Sequence, residues 1–171
     1  VSASSDEMDD YEQRPSGERC LVLSGSSPTH ATISYNRVQF IQTPDHIVIN
    51  VEMNHDSRII RLNSKHRTDD VRPYFGDAIG WWEGDTLVVE TVHINPMQLN
   101  QTSILWAYRG ASENLKVTER FTRTGAEELT YEFTVDDPGF YSQPWKGEMV
   151  FSPSNGPVYE FACHEGNYAL H

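Results

Sequence analysis

The chain has 171 residues, with 13 basic and 25 acidic side chains and a formal net charge of −12. This length fits one domain, and the acidic surface repels nucleic acids and anionic membranes, so we expect neither as a partner. No apolar run approaches the roughly 18 residues that a membrane-spanning helix needs.

The chain begins with a polar segment, residues 1–17, which has five acidic side chains between positions 6 and 12. Such a composition predicts a flexible acidic arm, followed by a single β-barrel domain over residues 18–171. The chain starts at Val1 without an initiator Met. A start of this kind is typical of a protein whose signal peptide has been removed, and also of an arbitrary boundary.

From Cys20 onward, apolar and polar residues alternate with the period of two that is typical of strands. The predicted strands are 36–43, 46–53, 57–62, 86–93, 114–122, 129–135, 145–151 and 158–163. A hairpin signal at 82–85 precedes the fourth of these, because Gly84 can supply the positive φ of a tight turn. Residues 95–113 are predicted to be irregular or briefly helical.

Eight or nine short strands, with no helix long enough for a crossover, predict an all-β fold. The expected architecture is an antiparallel meander closed into a lipocalin-like barrel. A two-layer β-sandwich is the alternative. Small barrels can hold one ligand in their interior, so the barrel interpretation directs attention to the inward-facing residues.

Three predicted strands place a charged residue on an otherwise apolar face: Arg58, Glu90 and Glu119. A buried charge is costly unless it is paired or hydrogen-bonded. One interpretation is an ion-pair network that holds the strands in register. The other is a polar interior cavity that binds a small molecule, lined by these three residues together with Trp82 and Tyr168.

An enzyme is the second functional hypothesis. A hydrolase or lyase would use a glutamate and a histidine at the barrel mouth, with Glu90, Glu119, His55 and His164 as candidates. This hypothesis predicts that His55 or His164 approaches one of the two glutamates. The sequence contains neither a nucleophile elbow nor a phosphate-binding loop.

Glu52, His55 and Asp56 are weak candidates for metal ligands, with His66 or His93 as further donors. Carboxylates favour Ca²⁺, whereas histidines favour Zn²⁺. No zinc motif such as HExxH or CxxC occurs, and the sequence identifies no cofactor.

The two cysteines, Cys20 and Cys163, are either a thiol site or a disulfide that ties the first strand to the last. A disulfide would indicate an oxidising compartment and therefore a secreted, periplasmic or extracellular protein.

A structural subunit of an extracellular homopolymer is the third functional hypothesis. In this case the N-terminal arm would pair with the sheet edge of a neighbouring copy, which is known as strand addition. The low apolar content of the arm argues against deep insertion, whereas its length and its separation from the domain favour the hypothesis.

Four blocks of the sequence occur in the order found in a known family: 76–91 (GDAIGWWEGDTLVVET), 109–115 (RGASENL), 131–138 (YEFTVDDP) and 159–168 (YEFACHEGNY). They resemble an uncharacterised family of secreted bacterial β-rich proteins, and the resemblance covers about residues 18–168. It implies export and a β-rich domain, and it brings no activity or catalytic residues.

Overall fold

A computed structural model describes residues 17, 19–22, 27–29, 37–95 and 112–165. These residues contain eight strands and one turn of 3-10 helix, Met53–His55. The strands are β1 (Val38–Gln42), β2 (His46–Val51), β3 (Ser57–Leu62), β4 (Asp77–Glu83), β5 (Thr86–Val92), β6 (Lys116–Gly125), β7 (Glu128–Asp136) and β8 (Trp145–Phe151). Within this part of the chain, no helix is long and apolar enough to cross a membrane.

The prediction of a strand at 158–163 is wrong. In this segment the N–H of Tyr159 donates to the carboxylate of Glu52 at 3.1 Å, and the N–H of Cys163 donates to the carbonyl of Phe161 at 3.0 Å. These backbone donors are satisfied by a side chain and by a local turn, so they need no strand ladder. Residues 152–165 therefore form an irregular tail after β8.

All eight strands form one sheet in sequence order, and this sheet curls through 227° into a half-barrel. The prediction of an all-β, barrel-like fold is confirmed. Two details differ from a simple closed meander. Strands β3 and β4 pair in parallel, whereas the other neighbours pair antiparallel. In the described residues, β8 also does not pair with β1, so the sheet is open along this seam.

The parallel pair depends on residues 63–76, which link the end of β3 to the start of β4. Parallel neighbours need a connection of about a dozen residues, because the chain must return to the end at which it started. We call residues 63–76 the crossover. The sequence predicted no strand at 77–83, so it revealed neither β4 nor its parallel pairing with β3.

The concave side of the sheet holds the core. Its buried side chains are contributed by β2 to β7 and include Ile49, Ile60, Val89, Val117, Phe121, Tyr131, Phe133 and Val135. From the edge strand, Phe40 contacts Phe121 and Phe151 edge-on, with ring centroids 5.3 and 6.5 Å away. The curl therefore brings β1 towards β6 and β8 across the interior. Each fully buried aliphatic side chain contributes about 1.5–3 kcal/mol to stability.

Cys20 and Cys163 form a disulfide, as one of the two sequence interpretations predicted. The bond joins the segment before β1 to the tail after β8 across 143 positions. Closing so long a loop in the unfolded chain stabilises the fold by about 4 kcal/mol.

The aromatic core requires glycine at one position of the sheet. Gly147 lies directly opposite Phe133, and a β-carbon added to Gly147 would lie 2.3 Å from the ring of Phe133. This ring is buried and packs edge-on against Trp145 at 5.5 Å, so it has little room to move.

We expect Gly147→Ala to lower the free energy of unfolding by about 1–3 kcal/mol, the usual cost of overpacking a core. Urea denaturation measures this loss. Gly125→Ala is the matched control, since its added carbon would approach no atom closer than 3.4 Å. Similar losses in both variants would contradict the proposed clash.

Candidate functional site

A buried ion pair lies at the centre of the half-barrel. Arg58 of β3 and Glu119 of β6 are 1% and 0% exposed, and the guanidinium donates to both carboxylate oxygens, with Nη1 3.1 Å from Oε1. Strands β4 and β5 separate the two residues within the sheet, so the pair spans the concave interior. The prediction that these two charges face the core is confirmed.

The carboxylate of Glu119 has further donors within the protein. The hydroxyl of Tyr131 donates to it at 2.7 Å and that of Ser27 at 2.8 Å, and Thr29 donates through its backbone N–H at 3.1 Å and its hydroxyl at 3.3 Å. A carboxylate offers about four lone-pair sites, which these donors and Arg58 occupy. Glu119 therefore has no acceptor capacity left for a ligand.

Burial by itself raises the pKa of Glu119, but the positive charge of Arg58 and the hydrogen bonds from Arg58, Tyr131 and Ser27 outweigh it, so this pKa lies below its usual value. Burial also raises the pKa of Tyr131, and the charge of Glu119 raises it further. The phenol therefore stays protonated and keeps its hydroxyl as a donor.

Residues 27–29 of the chain itself lie in the interior that the sequence analysis assigned to a ligand. Ser27 and Thr29 are 2% and 1% exposed, and Thr29 also accepts a hydrogen bond from Arg58 at 2.9 Å. The arrangement matches the structural interpretation of these charges, namely a network that holds distant strands together. The described interior around Glu119 is therefore filled by the chain itself.

The prediction that Glu90 faces the same interior is wrong. Val89, its neighbour in β5, is opposite Glu119 in the sheet and lies on the concave face, so Glu90 points to the convex face. Alternation along β5 could not distinguish the two faces, because buried apolar residues lie on both, namely Leu87, Val88 and Val89.

On the convex face, His66 links Glu90 to Asp77. Its Nδ1 lies 3.0 Å from Asp77 and its Nε2 lies 3.1 Å from Glu90. The ring thus lies between the two carboxylates and contacts both. Arg61 donates to Asp77 at 2.6 Å, and the ammonium of Lys116 lies 3.9 Å from Glu90. We call this group the convex cluster, and it fastens the crossover to β4 and β5.

The pKa of Asp77 is lowered by this environment. Burial opposes the shift, but the backbone N–H of Arg67, at 2.7 Å, and the side chains of His66 and Arg61 outweigh burial. Asp77 is 4% exposed and Glu90 is about one quarter exposed. Sequence reasoning considered His66 only as an additional metal donor, since its partners come together only through the crossover.

The residues proposed as metal ligands are engaged in other contacts. Glu52 accepts from Tyr159 and lies 3.7 Å from Arg37, and Asp56 accepts from Asn54 at 3.0 Å. His55 Nδ1 contacts the carbonyl of Phe161 at 3.1 Å. Among the residues that the structure describes, no group of three or more His, Cys, Asp or Glu residues could hold a metal ion.

The other described residues that were predicted to bind a ligand or to act in catalysis do not meet at one site. The histidine that approaches Glu90 is His66, whereas His164 is exposed in the tail. Trp82 is 45% exposed near the end of β4. Tyr168 lies outside the described residues. The expectation that His55 would approach a glutamate is not met, because its ring contacts the tail instead.

The seam between β1 and β8 is the second candidate surface. Two backbone hydrogen bonds show which residues of β1 are bonded to β2. The N–H of Glu52 donates to the carbonyl of Arg37, and the N–H of Thr43 donates to the carbonyl of His46, both at 2.9 Å. The odd-numbered residues of β1 are therefore those bonded to β2. Hydrogen-bonded pairs alternate in an antiparallel ladder. The N–H and C=O groups of Val38, Phe40 and Gln42 therefore point away from β2, into the seam.

A cleft of about 560 Å³ occupies part of this seam. Its apolar lining includes Val38, Phe40, Leu129, Val150 and Phe151. The first half of β1 thus lies opposite the end of β8. Arg37, Arg123, Glu127 and Glu128 add both signs of charge to the lining.

The tail after β8 ends beside the segment that follows the N-terminal arm. Arg37 donates to the carbonyl of Pro157 at 2.9 Å and lies 5.6 Å from the ring centroid of Tyr159. Further along, the disulfide joins Cys163 to Cys20, and the sulfur of Cys163 lies 3.9 Å from the carbonyl of Gly17. The point at which residues 1–16 join the domain is therefore fixed by covalent and polar contacts.

We expect Glu119→Gln to lower the free energy of unfolding by about 3–5 kcal/mol, because it leaves the charge of Arg58 buried without its carboxylate. Thermal and urea denaturation measure the loss. Glu132→Gln, on the exposed face of β7, is the matched control and should change stability by less than about 0.5 kcal/mol. Equal stability of both variants would show that the ion pair is not structural.

The effect of Glu119→Gln should depend on pH with a defined sign. The folded-state pKa of Glu119 is lowered, so its stabilisation is fully present above the unfolded pKa of about 4.3 and is lost as the pH falls through the folded pKa. The difference in unfolding free energy between the native chain and Glu119→Gln should be constant near neutrality and decrease in acid. A difference that grows in acid would contradict this account.

No family model, curated protein or solved structure matches the chain. The resemblance of its sequence blocks to a secreted bacterial family therefore stays a prediction.

Proposed function

We propose that this protein is a structural subunit of an extracellular homopolymer, assembled by strand addition. In this proposal the N-terminal segment of one copy, residues 1–16, lies between β1 and β8 of the next copy. The observation that carries the proposal is the character of β1. It is an edge strand with the sequence VQFIQ, which contains no charge, proline or glycine.

Natural proteins protect exposed sheet edges with charges, prolines or bulges, because an unprotected edge pairs with other chains. Strand β1 has none of these features. Its Phe40 and Ile41 are 37% and 43% exposed, and its outward backbone groups border a cleft lined by both apolar and charged side chains. The edge therefore has the properties of a strand-accepting surface. Strand β8 is better protected, with Lys146 and Glu148 on its exposed face.

The N-terminal segment is long enough to serve as the added strand. Sixteen extended residues span about 50 Å, whereas β1 and β8 contain five and seven residues. Residues 1–5 (VSASS) are uncharged and small. Because the segment has few apolar side chains, main-chain hydrogen bonds would supply most of the affinity, as they do in other cases of strand addition.

An extracellular location is part of the proposal. The disulfide is of the kind that persists in oxidising compartments, and the sequence blocks resemble those of secreted proteins.

Removal of residues 1–16 should convert assemblies into monomers without loss of stability. Analytical ultracentrifugation measures the mass, while circular dichroism and thermal denaturation check that the truncated chain folds. A synthetic peptide of residues 1–16 should then bind the truncated chain with 1:1 stoichiometry. Gln42→Pro should weaken assembly, because it removes an N–H that points into the seam, whereas Gln42→Ala keeps this donor and serves as the control.

Assembly that persists without residues 1–16, or that is equally strong in Gln42→Pro and Gln42→Ala, would contradict the proposal. The first result would place the interface elsewhere. The second would show that the backbone edge of β1 takes no part in it.

The cleft volume favours binding of a small amphipathic molecule as the second candidate function. Ligand pockets commonly enclose 300–1,000 Å³ with an apolar lining and a few polar groups, and about 560 Å³ lies within this range. Phe40 and Phe151 would contact the apolar body of the ligand, and Arg123 would pair with an anionic group. The binding site would therefore be the seam rather than the interior around Glu119.

The fluorescent anion 8-anilinonaphthalene-1-sulfonate distinguishes the two functions. Under strand addition it should bind the truncated chain, and the peptide of residues 1–16 should displace it. Under the ligand-binding function it should bind a full-length chain that remains monomeric, and Phe40→Ala should weaken that binding. Failure to bind either form would exclude the seam as a small-molecule site.

A further inference from the structure

The two edges of the seam run in the same direction. Seven pairings link β1 to β8, and each antiparallel pairing reverses the strand direction, whereas the parallel pairing of β3 with β4 does not. With six reversals between them, β1 and β8 are oriented alike. If every pairing were antiparallel, the two edges would run in opposite directions.

We infer that the added strand has one polarity, antiparallel to both β1 and β8. This inference rests on the proposed function and adds to it the orientation of the partner segment. A strand inserted between oppositely directed edges is parallel to one of them. Here a single orientation gives two antiparallel ladders, which are slightly more stable per residue than parallel ones.

Because β1 and β8 are offset along the seam, one half of the added strand lies beside β1 and the other half beside β8. The start of β1 lies opposite the end of β8, since Val38 and Phe40 line the same cleft as Val150 and Phe151. A strand that runs antiparallel to both edges first meets Gln42, then this shared region, and finally Trp145. The beginning of the N-terminal segment should therefore lie beside β1, and its acidic part beside β8.

The direct pairing of β1 with β8 is disfavoured by the same geometry. Such a pairing would be parallel, and the ring of Phe40 is already inserted between Phe121 and Phe151 at the centre of the seam. Within the described residues, the edge groups of Val38, Phe40 and Gln42 thus have no partner strand and are open to one from another copy. The outward N–H and C=O of three residues can form the first antiparallel ladder.

Site-specific photo-crosslinking tests the polarity in the full-length protein. A photoreactive p-benzoylphenylalanine replaces Ser4 in one preparation and Asp10 in another. Each preparation is mixed with unmodified, isotopically labelled full-length chains, irradiated, and mapped by mass spectrometry of peptides. A crosslink to a labelled peptide is necessarily between two copies.

We expect position 4 to crosslink to the end of β1 near Ile41 and Gln42, and position 10 to crosslink to the start of β8 near Trp145 and Lys146. The reverse assignment, or crosslinks of both positions to the same end, would overturn the inferred polarity and leave strand addition intact. Absence of crosslinks to labelled chains in a sample that assembles would overturn strand addition itself.

Discussion

The structure depends on one buried contact, the ion pair between Arg58 and Glu119. The two residues belong to strands that are not neighbours, so the pair can form only when the sheet curls. Burying two charges costs several kcal/mol per ion, and here the cost is offset because the hydroxyls of Ser27, Thr29 and Tyr131 satisfy the carboxylate. The network thus fixes the curvature of the half-barrel and fills its interior with residues 27–29.

A filled interior changes what the fold can do. Lipocalin-like barrels keep their centre free for a ligand, whereas the polar groups here bind one another. Phe121 stacks on Tyr131 with a centroid distance of 4.7 Å, so the network is continuous with the aromatic residues that reach the seam. The rigid centre therefore supports the position of Phe40 and, with it, the spacing of the two free edges.

Sequence reasoning predicted seven of the eight strands and the ion pair, but it missed β4, for which it gave only the hairpin signal at 82–85. The alternation around Glu119 and Arg58 identified the inward charges correctly, because each of their strands has one apolar face. It failed for Glu90, since β5 is apolar on both faces. It also failed for residues 158–163, whose strand-like composition belongs to a tail held by Glu52, His55 and the disulfide. Both failures arise because tertiary contacts override local pattern.

The direction of β4 could not be predicted, since it depends on contacts between residues far apart in sequence. The crossover returns along the convex face because Asp77 and Glu90 hold His66, and Asp77 also holds Arg61 and the backbone of Arg67. These contacts involve a loop with no periodicity of its own.

The two charged clusters have complementary effects on the seam. The Arg58–Glu119 ion pair stabilises the curled sheet, in which β1 and β8 approach each other. The convex cluster holds the crossover, and the parallel pairing that the crossover allows makes β1 and β8 run in the same direction. A sheet with the same curvature and only antiparallel neighbours would offer oppositely directed edges to an incoming strand. The parallel pair therefore matters for function as well as for topology, because it allows a single segment to form antiparallel ladders on both sides.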